Sequence, residues 1–168
     1  MNAASTTAAS ESQRYEYLSH WHLAAPVEAV WTALTEVESW PAWWPYVRRV
    51  QTLRAGDADG LGALRRITWG TRLPYGFTLE VEATQMQRHR RLRARARGDL
   101  QGEGLWELHD EDGIATSARY TWRLDLNTRW MRMTAPLMAP VFRWNHEGVM
   151  RGGAEGLARH LGVKLLGS

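Results

Sequence analysis

The chain has 168 residues, with 21 basic and 18 acidic side chains and a net charge of +3. That length suits one domain with a full hydrophobic core. The absence of cysteine excludes disulfides and thiolate metal sites and fits a reducing cytoplasm, and no apolar run is long enough to cross a bilayer.

Residues 1–13, MNAASTTAASESQ, are small and polar and lack the basic start and apolar run of a secretory signal. They are expected to form a disordered tail before a single cytoplasmic domain over 14–168. Residues 14–23 alternate, with Tyr15, Tyr17, Ser19, Trp21 and Leu23 on one face, which predicts a half-buried strand. Pro26 stands where a helix begins, and Val27, Val30, Trp31 and Leu34 recur at helical spacing. Ser39-Trp40-Pro41 opens a second short helix that Pro45 ends.

From Val47 the period becomes two. Val47–Arg54 is a strand, and the Gly- and Asp-rich stretch 55–60 is a turn. Leu61, Ala63, Ile67 and Trp69 line one face of the next strand. Phe77, Leu79, Val81 and Ala83 face inward after the turn at Pro74-Tyr75-Gly76, with Glu80 and Glu82 outward. Leu92, Ala94 and Ala96 are inward on the fifth strand, and Gly102, Gly104, Trp106 and Leu108 on the sixth. Asp110 to Gly113 makes a hairpin turn, and Ala118, Tyr120, Trp122, Leu124 and Leu126 are inward on the seventh. Residues 129–139 are apolar and Met-rich, interrupted by Pro136 and Pro140. A last helix is expected near Pro140 to Leu161, with Phe142, His146, Val149, Met150, Gly153, Leu157, His160 and Leu161 along one stripe.

The predicted order is β-α-α-β-β-β-β-β-β-α. Residues AAPVEAVWTALTEVESWPAWWPYVRRV, GDLQGEGLWEL and NHEGVMRGGAEGLARHL resemble the SRPBCC (START-like) superfamily, and within it the polyketide cyclase/dehydrase-like branch, over about residues 14–163. The resemblance implies an α+β helix-grip fold: a curved seven-stranded antiparallel sheet wrapped around a long C-terminal helix, with two short helices after strand 1. It also implies an internal cavity between the sheet and that helix. Members of the superfamily include lipid carriers, ligand sensors, aromatase/cyclases and co-chaperone-like proteins, so fold alone does not assign function.

Several residues are candidates for a ligand site. Arg65 breaks an apolar inward row; it either grips an oxyanion of a ligand, reaches the rim, pairs with an internal acid, or is exposed by a bulge. Trp69, Trp106, Tyr120 and Trp122 share the inward sheet face, as an aromatic cavity wall or as plain core. Phe142, Asn145, His146, Val149 and Gly153 lie on or beside the buried stripe of the last helix. His146 is either a general acid/base or a core histidine bonded to a strand side chain. His146, Tyr120 and Arg65 are the catalytic candidates if the protein is an enzyme, which would then be a metal-free cyclase or dehydratase on a polyketide-like substrate. Glycines 148, 152, 153 and 156 thin the helix, either for close packing or for ligand volume.

Arg88, Arg90, Arg91, Arg93, Arg95 and Arg97 form the densest basic run, which cross-strand pairing with Glu80, Glu82, Glu103 and Glu107 explains without nucleic acid. Trp144, on the polar side of the last helix, and the Met131–Met138 stretch are the marks of a possible protein-interaction module. Tyr75 is either a gate or an ordinary turn aromatic. No motif for metal, nucleotide or Ser-hydrolase chemistry is present. The expected partner is a hydrophobic small molecule, lipid-like or aromatic, bound without cofactor or membrane insertion by a monomer or homodimer.

Overall fold

The structure, a computed structural model, describes residues 14–72, 74–125 and 129–168; for Arg14, residues 129–136 and Met138 only the backbone is described. The tail 1–13, Leu126 and the side chains of most of the Met-rich stretch lie outside the described residues.

Strand β1 (Arg14–Leu23) leads into helix α1 (Val27–Thr35), a single 3₁₀ turn (Val37–Ser39) and helix α2 (Trp40–Trp43). Six strands follow: β2 (Val47–Arg54), β3 (Leu64–Trp69), β4 (Phe77–Gln87), β5 (Arg91–Gly98), β6 (Gly102–Glu111) and β7 (Ala115–Asp125). Helix α3 (Arg129–Leu161) and a short strand β8 (Leu165–Gly167) close the chain. The sheet runs β2-β3-β4-β5-β6-β7-β1-β8, with every pairing antiparallel. The helix-grip expectation holds, with one strand more than the seven expected. The eighth is three residues long, too short for an alternation to show.

Local chemistry accounts for these elements. The fixed φ of Pro26, at −64°, sets the entry to α1, which buries Val27, Val30, Trp31, Ala33 and Leu34. Asp112 and Gly113 both take positive φ, as a tight hairpin turn between β6 and β7 requires. The β2–β3 connection carries positive φ at Gly56, Gly60 and Gly62, so β3 starts at Leu64. Leu61, expected on the inward face of β3, is instead an exposed loop residue.

The last helix also departs from expectation, beginning eleven residues before Pro140. Proline normally breaks a helix because it lacks an N–H and crowds the preceding turn. Here the backbone runs through Pro136 and Pro140. Being four apart, they confine the lost hydrogen bonds to one side of the helix, at the carbonyls of Arg132 and Pro136.

The core is a chain of aromatic rings. Trp40 and Trp43 flank Trp44 at 5.1 and 5.4 Å between centroids, Trp44 meets Trp21 at 5.3 Å, Trp21 meets Trp106 at 4.7 Å, and Trp106 meets Tyr120 at 4.6 Å. This chain links α2 to β1, β6 and β7. The indole N–H of Trp44 donates to the carbonyl of Val149 (2.9 Å) and so fastens α3 to α2.

The four helix glycines serve close packing. A Cβ on Gly153 would stand 2.5 Å from the Trp44 ring, and one on Gly152 would stand 2.8 Å from Tyr46. At Gly148 it would overlap the Arg72 side chain, and at Gly156 the backbone carbonyl of Trp43.

On the outer face, charge is sorted by strand. Arg91 and Arg119 both bond Glu107 (2.9 and 2.6 Å), Arg93 reaches Glu103 (3.3 Å), and Arg66 and Arg54 bond Glu80 and Glu82 (2.7 and 2.6 Å). Arg95 stands in register between Glu82 and Glu103, and Arg97 opposite Glu80. The basic run of β5 is thus one stripe of a laced surface. Arg88 and Arg90 flank its turn.

Candidate functional site

The inward face of β4, β5 and β6 is short of side-chain volume. Ala83, Ala94 and Gly104 are register neighbours across the three strands, and Val81, Ala96 and Gly102 form the adjacent row. Opposite them, α1 and the turn into α2 present Leu34, Thr35, Val37 and Trp40. Between the two layers lies a cavity of about 340 Å³. Its walls include Ile67, Trp69, Trp106, Tyr120 and Trp122, and the exposed loop Asp57–Gly60 forms its mouth. That loop is held in shape by Asp57, whose Oδ1 accepts the N–H groups of Asp59 and Leu61 (3.0 and 2.9 Å).

Of the predicted ligand residues, Arg65, Trp69, Trp106, Tyr120 and Trp122 line this cavity. Phe142, Asn145, His146, Val149 and Gly153 do not, and no described α3 residue does. This cavity lies between the sheet and the α1–α2 segment. At Gly153, α3 lies directly against the Trp21 and Trp44 rings. Gly153 is therefore packed against tryptophan rather than open to ligand, and Val149 is core with its carbonyl committed to Trp44. Phe142 packs with Tyr17, Leu124 and Trp122 in a second small cluster. The Asn145 side-chain oxygen accepts the backbone N–H of Arg72 (3.1 Å).

Arg65 is inward in parity and mostly buried, and its Nε–H donates to Glu38 (2.7 Å) at the cavity rim. Glu38 also accepts the hydroxyl of Thr52. Burial pushes the Glu38 carboxyl up, but the hydrogen bonds from Arg65 and Thr52 outweigh it and hold the group below its ordinary value. Thus Glu38 stays ionised and offsets the Arg65 charge.

Tyr120 brings a hydroxyl to the inner wall, and Trp69 an indole N–H that is buried without a partner. Burial pushes the Tyr120 phenol well up, so it is a neutral O–H donor. A Cβ on Gly104 would stand 2.6 Å from the Tyr120 hydroxyl, so the glycine makes room for it. The hydroxyl has no hydrogen-bond partner among the described residues.

His146 lies behind Tyr120, its ring 6.4 Å from the Tyr120 ring and 5.2 Å from that of Tyr17. Its Nε2 is 3.3 Å from the Ser19 hydroxyl, and burial lowers its pKa to about 4. It is a neutral core imidazole one layer removed from the cavity. His160 is exposed and stacks on Trp43, with a 6.2 Å centroid separation. Trp144 is covered by the Arg72 guanidinium, 4.0 Å from its ring centroid, and Tyr75 is exposed on the same loop.

Three parts of the site escaped the sequence reading: the α1 end with Val37, the acidic mouth loop, and Glu38 as the partner of Arg65. The first two had a signal. Small inward residues aligned on three consecutive strands mark missing volume, which whatever packs above must roof. The Glu38–Arg65 contact spans 27 residues of sequence and follows no local spacing.

Among the described residues no group of three metal-ligating side chains occurs, and no helix is long and apolar enough to cross a membrane. An antiparallel sheet gripping a long C-terminal helix, with an apolar cavity entered at the sheet's end, defines a helix-grip, START-like protein. The chain belongs to the polyketide cyclase/dehydrase and lipid transport family, whose model matches residues 19–162. No curated protein matches the chain by sequence.

Solved structures share the fold at low identity. An aromatase/cyclase from Streptomyces sp. R1128 superposes with a TM-score of 0.70 at 14% identity, covering 89% of this chain and 96% of its own. A START superfamily protein from Mycobacterium smegmatis gives 0.70 at 12%, covering 88% and 97%. Norcoclaurine synthase from Thalictrum flavum gives 0.61 at 11%, covering 89% and 98%.

Proposed function

We propose that this protein binds a small, largely apolar molecule in the cavity between the sheet and the α1–α2 segment. One observation carries the reading: a cavity of about 340 Å³ walled mostly by Ala, Val, Leu and aromatic side chains, with Asp57, Asp59 and Arg65 its charged lining among the described residues. Family membership supports it. Apolar ligand surface buried there contributes about 2.5 kcal/mol per 100 Å² before the cost of ordering the ligand.

Family membership and the Streptomyces neighbour also support an enzymic reading, a cyclase or dehydratase acting within the same cavity. The Tyr120 hydroxyl favours it as a donor to a ligand carbonyl. His146 argues against it, since an imidazole with a pKa of about 4 that does not line the cavity is a poor base near neutrality. Binding therefore stands as the primary reading.

The test fills the cavity. Ala94→Phe places a ring in the void without disturbing any hydrogen bond, so the melting temperature should hold or rise. Titration with 1-aminoanthracene, an uncharged fluorescent aromatic, should show saturable binding to the native protein, weakened at least tenfold in the variant. Equal binding by both proteins would locate the probe elsewhere and remove the cavity from the account.

A further inference from the structure

The mouth and the inner wall of the cavity differ in what they offer a ligand. Among the described residues, the charged side chains lining the cavity are Asp57, Asp59 and Arg65. Arg65 is the one cation of the three, and its Nε–H is bonded to the ionised Glu38. Asp57 accepts two backbone N–H groups but meets no cation, and Asp59 has no ion-pair partner among the described residues. The mouth therefore carries two uncompensated negative charges on a chain whose net charge is +3. An incoming carboxylate, sulfonate or phosphate meets like charge there. It also finds the Arg65 charge already paired with Glu38 through Nε–H.

At the inner wall the demand is opposite in kind. The Tyr120 hydroxyl lines the cavity without a protein partner among the described residues, in the room that Gly104 leaves for it. A ligand acceptor there would gain a hydrogen bond from a donor that the protein leaves free, and the Trp69 indole N–H of the same lining is buried without a partner.

From these two ends we infer that the cavity selects uncharged ligands carrying an acceptor oxygen, a ketone, ester or ether, and rejects apolar acids and phosphates of the same shape. Tyr120 reads the acceptor; Asp57, Asp59 and the Glu38-neutralised Arg65 exclude the anion. This rests on the ligand-binding reading above and adds the chemical class to it. Of the alternatives the sequence leaves for Arg65, it favours pairing with an acid over the grip on an oxyanion.

The experiment is calorimetric titration at pH 7.4 and low salt with three probes of matched shape: 2-acetylnaphthalene, 2-naphthoate and 2-ethylnaphthalene. Acetylnaphthalene should bind at least tenfold tighter than naphthoate. Tyr120→Phe, which keeps the ring, should weaken acetylnaphthalene about fivefold, the worth of one hydrogen bond, and leave its affinity near that of ethylnaphthalene. Glu38→Gln, which frees the Arg65 charge, and the double variant Asp57→Asn/Asp59→Asn, which keeps the loop's acceptor oxygen, should each narrow the gap between ketone and acid.

Naphthoate binding as tightly as acetylnaphthalene would overturn the inference while leaving the cavity as the binding site. So would a gap unmoved by all three variants. No heat from any of the three probes, with the protein folded, would overturn the binding reading and this inference with it.

Discussion

Gly156→Ala is expected to lower stability by about 3 kcal/mol, against a typical overpacking cost of 1–3 kcal/mol. For a chain of this size that is a fall of about 6–12 °C in melting temperature. The added Cβ would overlap the carbonyl oxygen of Trp43 and lie 3.4 Å from the Pro45 ring. Backbone cannot swing aside as a side chain can. Trp43 is also held in place, stacked on Trp44, whose indole N–H is bonded across to Val149. Alanine would gain about 1 kcal/mol of helix propensity over glycine, and the loss should exceed that gain. Gly152→Ala meets only the Tyr46 ring, at 2.8 Å, and Tyr46 is partly exposed and free to yield. Its loss should be less than half as large. Thermal scans of the two variants beside the native protein check this, and a Gly156→Ala protein of native stability would mean that α3 does not rest on the Trp43–Pro45 turn.

The second large effect is in pH. His146 has a folded-state pKa of about 4, because burial disfavours its charged form, against 6.5 for an unperturbed imidazole. The folded chain therefore binds fewer protons at this site than the unfolded chain between those two values. Its contribution to stability is whole above pH 6.5 and is lost as the pH falls towards 4. A shift of this size corresponds to about 3 kcal/mol. His146→Gln keeps a polar group for Ser19 but cannot titrate. Between pH 7 and pH 4.5 the native protein should lose roughly 5–10 °C more than the variant, at about 2–4 °C per kcal/mol. Parallel pH profiles for the two proteins would mean that His146 reaches solvent or charges inside the fold. That outcome would bring it back as an acid/base candidate.

The behaviour of individual residues shows where sequence reading succeeds in this chain. Inward parity was legible for Tyr17, Trp21, Ile67, Leu79, Trp106 and Ala118, because a strand's period of two allows one answer once one face is buried. It failed at Leu61, where three glycines of positive φ ended the alternation before the strand began. The α3 start was missed because proline reads as a breaker, and a helix passing through two of them leaves no local sign. Parity places Tyr120, Trp69, Trp106 and Trp122 on the inward face, where they line the cavity; Trp40, from the helical segment, is outside its reach. Phe142, Asn145, His146, Val149 and Gly153 were assigned to the ligand on the premise that the buried stripe of α3 faces the cavity. At Gly153 that stripe meets the Trp21 and Trp44 rings, and at His146 the Tyr17 and Tyr120 rings. Helical periodicity reports that a face is covered, and it is silent about what covers it.

The sheet is open at both ends, and its two edge strands are unequal. β2 presents eight residues of free edge, and Arg48, Arg49 and Arg54 stand on it. β8 presents three. A second copy docking along β2 in the usual antiparallel way would bring guanidinium against guanidinium, and one docking along β8 would find too few peptide groups to hold it. Fibre growth and strand exchange, the hazards of any unclosed sheet, are thus discouraged at each margin by a different device: charge at one, brevity at the other.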